Sequence, residues 1–272
     1  MRTHNVIPGV GVSLALTILI LTCVVLIPIG SIVLAMQGIG MSDFLHLVTS
    51  ERALSSYRVT FGCAIIAAAI NSIFGLIIAW VLARYRFWGH RFLDACIDVP
   101  FALPTAVAGI SLATLYADNG WLGRIFAAHG VHVAYTQLGI TLALIFVGMP
   151  FTVRTVAPVL ADLPREFEEA SLTLQANGFT TFFRVLLPLL MPSILTGFVL
   201  ALARGIGEYG SVIFIAGNIP NKTEITSLLI VARLEEYDYH GAAALAVVLL
   251  VVSLSLILIV NLLQRTTRWK RA

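Results

Sequence analysis

Six apolar runs, approximately 10–36, 59–83, 97–117, 136–157, 189–216 and 241–264, divide the chain. Each is near or above the roughly 20 residues that a helix needs to cross hydrocarbon. A backbone in lipid must satisfy its own hydrogen bonds, which leaves helices as the element these runs can form. The expected fold class is therefore an all-α integral membrane protein, a single transmembrane domain over 1–272 with six spans. The losing alternative is a large soluble core, because only 11% of the residues are charged where a soluble domain carries about one-quarter.

The net charge of +3 means little until its placement is read. With the N-terminus inside, Arg2, Arg84, Arg86, Arg91, Arg154, Arg165, Arg184, Arg265, Arg268, Lys270 and Arg271 fall at or beyond cytoplasmic ends. Arg52, Arg58, Arg124, Lys222 and Arg233 fall outside, and Arg204 lies within a span. This bias predicts both termini in the cytoplasm. Positive charges that follow a membrane in this way are not a nucleic-acid footprint, so no such partner is expected. The first run is too long for a signal-peptide core and lacks an Ala-x-Ala site, so it is read as span one.

Along the chain, Ser42 and Asp43 are expected to cap a short interfacial helix through Phe44, Leu45 and Leu47. Asn71 and Ser72 in an Ala-rich span favour close helix contacts. The loop from Arg84 to Arg91 mixes positive anchors with Tyr85, Phe87 and Trp88 and reads as a membrane-interface anchor. Pro100 and Pro104 remove backbone donors in span three and predict either a gate or a packing kink. Arg154, near the inner end of span four, can snorkel to headgroups or meet substrate. Cys23, Cys63 and Cys96 have no zinc-like or disulfide spacing, and His129 with His132 is weak metal evidence, so no metal site is expected.

Span five carries the charge that most needs explaining. Arg204, Gly205, Gly207, Glu208, Tyr209 and Gly210 place an i,i+4 ion pair and three flexible glycines inside apolar sequence. Facing lipid would be costly, so both charges are expected to face the bundle interior, another subunit or water. A structural salt bridge and a role in a gate or anion path both remain open. The polar connection 217–224, with Glu235, Glu236 and Asp238 beyond it, reads as a solvated loop, a gate support or a docking surface.

Residues 164–188 are too charged to cross a membrane, yet they sit between spans that can. Phe167, Ala170 and Leu174, then Phe179, Phe182, Phe183 and Leu186, predict two short amphipathic helices bracketed by Pro164 and Pro188. Glu169-Ala170-Ser171, Thr173-Leu174, Phe182-Phe183-Arg184-Val185 and Leu187-Pro188 resemble the coupling loop of ATP-binding-cassette importer permeases. The resemblance implies a type I importer permease fold and assigns ATPase coupling to Glu168, Glu169, Ala170, Ser171, Gln175, Ala176 and Gly178. Gln175 stands where that family usually has glycine, and Asn177-Gly178 is expected to supply the turn.

DVPFALPTAVAGISLAT over 98–114, DNGWLG over 118–123 and GIGEYGSVIFIAGNIPN over 205–221 are similar to T-type sulfate/thiosulfate importer permeases. That likeness implies a W-type permease, two copies of a cytoplasmic ATPase and a periplasmic or lipid-tethered sulfate/thiosulfate-binding protein as partners, all at a bacterial inner membrane. ATP and Mg would be bound by the ATPase; this chain has neither a Walker loop nor a nucleophile elbow, so no cofactor and no catalytic residue are expected in it. The alternatives are a molybdate or other oxyanion permease, a secondary transporter and a structural membrane subunit.

Overall fold

The computed structural model describes residues 10–269, with side chains described through Ile259. Arg2, Lys270 and Arg271 lie outside the described residues, and the side chains of Arg265, Arg268 and Trp269 do too. The helices are α1 (Val10–Leu34), α2 (Met41–Val48), α3 (Glu51–Arg84), α4 (His90–Ala102) and α5 (Thr105–Tyr116). They continue as α6 (Gly123–Ala127), α7 (Gln137–Asp162), α8 (Glu166–Thr173) and α9 (Gly178–Ile206). The series ends with α10 (Val212–Ile215), α11 (Thr226–Glu235) and α12 (Tyr239–Trp269). Among the described residues, five helices are long and apolar enough to cross a membrane, six if the bent α4–α5 pair is one span.

The core is the mutual contact of α3, α7 and α9. Small residues let these three helices approach, which is how helices associate where no hydrophobic force separates them from lipid. A Cβ added at Gly75 would stand 2.7 Å from the Thr152 Cγ2, and one at Gly197 would stand 2.9 Å from the Thr152 Cα. Val59, Ala64, Ala67, Ile140, Leu144, Leu202 and Ile206 fill one half of the core, and Ala79, Val153, Val156, Leu160 and Leu190 fill the other. Asn71 is fully buried against Gly148, and neither of its amide atoms has a protein partner. Helix α1, by contrast, buries none of its residues within the chain.

Prolines account for several local departures. Pro28 and Pro188 each follow a π-helical turn, Thr22–Leu26 and Phe182–Leu186. A proline lacks its N–H and crowds the carbonyl four residues back; widening the preceding turn lets the helix run on past it. Pro188 therefore does not close a short helix, and the expected second helix of the 164–188 stretch is instead the first part of α9. Pro104 acts differently. Leu103 before it is forced into extended geometry (φ −82°, ψ 135°), and α4 and α5 meet at a bend of 109°. Run 97–117 is thus a broken pair, and run 189–216 stops being helical at Ile206, resuming only as α10. Ser42 and Asp43 lie inside the first turn of α2, whose N-cap is Gly40, so the expected cap is not made.

Candidate functional site: a protruding loop and two broken helices

Leu163 ends α7 in extended geometry and Pro164 prevents its continuation, so α8 projects from the end of the bundle. Glu166, Glu168 and Glu169 occupy its first turn, where the helix dipole favours negative charge. Their roles divide. Glu168 pairs with Arg84 at 2.8 Å, and the same arginine donates to the Leu163 carbonyl at 3.2 Å, so α8 is tied to the end of α3. Ser171 is buried, donates to the Glu168 carbonyl at 2.8 Å and lies 2.8 Å from the Thr181 hydroxyl, which ties α8 to α9. Glu169 and Ala170 remain exposed.

The turn is made by Gln175 and not by Asn177-Gly178. Gln175 has φ +59°, its N–H donates to the Leu172 carbonyl at 2.9 Å, and the Ala176 N–H donates to the Ser171 carbonyl at 3.0 Å. These two bonds form a Schellman cap with glutamine in the left-handed position usually held by glycine. Gly178 has no positive φ and opens α9, while the Asn177 side chain caps α9 by accepting from the Thr180 N–H at 2.7 Å. The loop tip carries an apolar crest that periodicity did not isolate: Leu172, Leu174 and Phe179 are exposed, the last two by 82% and 74%. Phe182 turns inward onto Trp80, with ring centroids 5.7 Å apart.

At the far end of α9, Arg204 and Glu208 form the expected ion pair, but across the helix terminus. The Glu208 side chain is 1% exposed, and its Oε1 accepts from the Ser211 N–H at 2.9 Å and from the Ser211 hydroxyl at 2.8 Å. Glu208 is fully satisfied. Arg204 is 33% exposed, and its guanidinium has no other partner among the described residues. None of Gly205, Gly207 and Gly210 has a positive φ, so no left-handed turn requires glycine at these positions. Gly210 has no room for a side chain because Thr105 occupies that space, Gly109 is closed by the Ser211 backbone, and Gly207 faces open space. The break in α9 therefore seats directly on the break between α4 and α5. Tyr209 packs part-buried on the core.

Arg154 neither snorkels nor stands free. Its guanidinium donates to Asp94 Oδ1 at 2.6 Å, to Asp98 Oδ1 and Oδ2 at 2.9 and 2.6 Å, and to the Asp94 carbonyl at 3.1 Å, which clamps α4 to α7. Two acids one helical turn apart in an apolar run were the available signal, because such a pair calls for a cation from another element. At the end opposite α8, Arg52 holds Glu224 through bonds of 2.8 and 2.7 Å, while Arg233 holds Asp238 at 3.2 Å and Glu236 at 3.6 Å. Most of these acids are paired within the chain, and the exposed stretches are Gly217 to Lys222 and Leu234 to Tyr237. His132 pairs with Asp118 at 2.9 Å, and His129 meets the Ile125 carbonyl, so the two histidines serve separate contacts.

A family model described as "Binding-protein-dependent transport system inner membrane component" matches residues 71–269. The chain is 48% identical over 254 residues to the "Probable sulfate transport system permease protein cysT" of Nephroselmis olivacea, covering 93% of this chain and 89% of that one. It is 45% identical over 264 residues to the "Sulfate transport system permease protein CysT" of Salmonella typhimurium, covering 97% and 95%. Its fold is also that of a bacterial ABC transporter involved in the import of the acidic polysaccharide alginate, with a TM-score of 0.77 at 16% identity over 94% of each chain. An all-helical bundle with a protruding loop between spans, a full-length match to these permeases and the family match agree: the chain belongs to the binding-protein-dependent inner-membrane components, the permease subunits of ATP-binding-cassette importers.

Proposed function

We propose that this chain is the T-type permease of an ATP-driven sulfate/thiosulfate importer, lining half of the anion path and receiving force from a cytoplasmic ATPase through α8. The observation that carries the anion path is Arg204, held by a buried carboxylate at the meeting of two broken helices with part of its guanidinium open. A guanidinium presents paired N–H groups suited to an oxyanion. Glu208 takes part of that charge, which keeps anion binding weak enough for release. Gly205, Gly207, Tyr209 and Gly210 shape the backbone around this point. The names of relatives 45% and 48% identical over nearly the whole chain support sulfate as the cargo.

In this reading Glu169, Ala170, Gln175, Ala176 and Gly178 form the face that meets the ATPase, with Leu172, Leu174 and Phe179 as apolar contacts. Glu168 and Ser171 instead hold that face in place. ATP and Mg bind to two ATPase copies; a W-type permease supplies the other half of the path, and a periplasmic or lipid-tethered binding protein delivers the anion. Helix α1, none of whose described residues is fully buried, leaves a face open for a second permease beside it. In this reading the membrane is a bacterial inner membrane, and the arginine bias supports placing both termini and α8 on its cytoplasmic side.

Alternation follows from differences in binding energy between states, with nucleotide favouring one and its products the other. The test is reconstitution with the candidate partners, comparing ATP-dependent uptake of labelled sulfate, thiosulfate and molybdate. Sulfate or thiosulfate uptake that needs every component, and is lost in Glu169→Ala without loss of membrane insertion, is the expected result. Uptake of molybdate in preference to sulfate overturns the cargo, and gradient-driven uptake without the ATPase overturns the class.

A further inference from the structure

The turn between α3 and α4 has features that anion transport does not use. Tyr85 leaves α3 in extended geometry, and Gly89, at φ +91°, reverses the chain into α4. Between them the chain exposes Phe87, Trp88 and then Phe92, with Trp88 100% and Phe92 75% exposed. Residues 86–92 border an open recess at the surface. The turn is held from behind: His90 Nε2 lies 3.0 Å from the Leu82 carbonyl, and its ring meets Phe87 edge-on at 5.6 Å. These contacts fix Phe87 and the turn that displays the other two rings.

Its charge is equally one-sided. The acids of α4, Asp94 and Asp98, are both taken by Arg154, and Glu168 is taken by Arg84. Arg86 and Arg91 are exposed and have no ion-pair partner among the described residues. Two free cations thus border an unburied indole and phenyl ring. Further along the two helices, Ile73, Phe74 and Ile77 of α3 and Val99 and Phe101 of α4 are also exposed apolar residues, the composition expected of lipid-facing surface. A ring belt with its apolar side toward lipid and its cations at the rim is the chemistry of a membrane interface.

We infer that this turn binds the headgroup of an anionic phospholipid, with Arg86 and Arg91 on the phosphate and Trp88 and Phe92 among the upper acyl carbons. A soluble protein partner would match the arginines but would leave the lipid-continuous aromatic face unexplained. The site anchors α4, which Arg154 clamps to α7, and so fixes the depth of one arm of the broken pair. The inference rests on the membrane setting of the chain and is independent of which anion it carries.

The experiment is native mass spectrometry of the full chain purified from membranes, titrated separately with phosphatidylglycerol, phosphatidylcholine and inorganic phosphate. A juxtamembrane arginine contributes about five-fold to anionic-lipid affinity, so the pair predicts about a thirty-fold preference for phosphatidylglycerol over phosphatidylcholine. Arg86→Gln with Arg91→Gln abolishes that preference, and Arg86→Lys with Arg91→Lys keeps most of it. Trp88→Ala weakens both lipids while leaving their ratio unchanged. Equal phosphatidylglycerol retention in the glutamine double variant overturns the site. So does displacement of the lipid by millimolar phosphate, which would assign the arginines to free phosphate. A photo-crosslinker at position 88 in intact membranes should label lipid; labelling of a soluble protein instead overturns the choice of occupant.

Discussion

Gln175 offers the sharpest quantitative test of the loop. Its φ of +59° places an ordinary L-residue in the left-handed region, at the cap that closes α8. That conformation costs an L-residue about 1–2 kcal/mol. Glycine removes the cost but brings about 0.5–1 kcal/mol of extra unfolded-chain freedom, so Gln175→Gly should stabilise the closed cap by about 0.5–1 kcal/mol net. The glutamine side chain is exposed and makes no hydrogen bond among the described residues, so nothing offsets the gain. The cap is read by the Ala176 amide, whose bond to the Ser171 carbonyl exists only when it is closed. In lipid nanodiscs, the protection factor of that amide against hydrogen exchange should rise about two- to five-fold in Gln175→Gly. It should fall in Gln175→Val, because a β-branched residue tolerates positive φ worst. An unchanged or lower protection factor in the glycine variant would refute the assignment of Gln175 as the left-handed cap.

Neighbouring glutamates should separate by phenotype: Glu168→Gln, which breaks the pair with Arg84, lowers loop protection by about 2 kcal/mol, while Glu169→Gln leaves protection unchanged and lowers coupled ATPase activity. Arg154→Gln should destabilise the bundle by about 1–2 kcal/mol in thermal unfolding, a modest figure because the clamp is part-exposed; adding Asp98→Asn to that variant, which removes one of the carboxylates left unpaired, should recover part of the loss. Gly210→Ala, which drives a Cβ into Thr105, should cost about 1–3 kcal/mol and reduce uptake. Gly207→Ala, facing open space, should stay within about 0.5 kcal/mol in the same unfolding assay.

What the sequence made legible was whatever depends on local pattern. The apolar runs pointed to long membrane-length helices though not to their ends, the acid-rich start of 164–188 pointed to a loop between them, and Arg204 with Glu208 declared a pair because four residues separate them. Pairings across the fold had no such spacing. Asp94 and Asp98 reach Arg154 from another helix, and Arg84 reaches Glu168 across the chain, so charge bookkeeping by membrane side left them as anchors and acidic surface. Prolines were ambiguous for a physical reason: Pro104 bends the chain while Pro188 is absorbed by a π turn, and tertiary packing decides between those outcomes. The three glycines of 205–210 read alike in sequence, yet Gly210 is small for lack of room while Gly207 faces open space, a difference that only packing reveals.

The contacts themselves suggest how a push on α8 would reach Arg204 under the proposed function. Helix α8 follows α7 directly, Arg84 ties it to α3 and Ser171 ties it to α9, so a displaced α8 loads all three core helices. Arg154 passes movement of α7 to α4. Helix α4 ends at the 109° bend, beyond which Thr105 and Gly109 press on Gly210 and Ser211. Ser211 gives both its hydrogen bonds to Glu208, the carboxylate that holds Arg204. Packed contacts with no spare volume transmit displacement because the alternative is overlap. A continuous set of contacts is still only a route; coupling requires that the far end have two arrangements. The element able to supply them is the segment 207–211, where no helix fixes the backbone and one carboxylate sets both the serine and the arginine. Cysteines placed at Gly207 and Tyr209 should therefore change thiol accessibility between nucleotide states in step with each other, and accessibility that ignores nucleotide would reduce the Arg204–Glu208 pair to static packing.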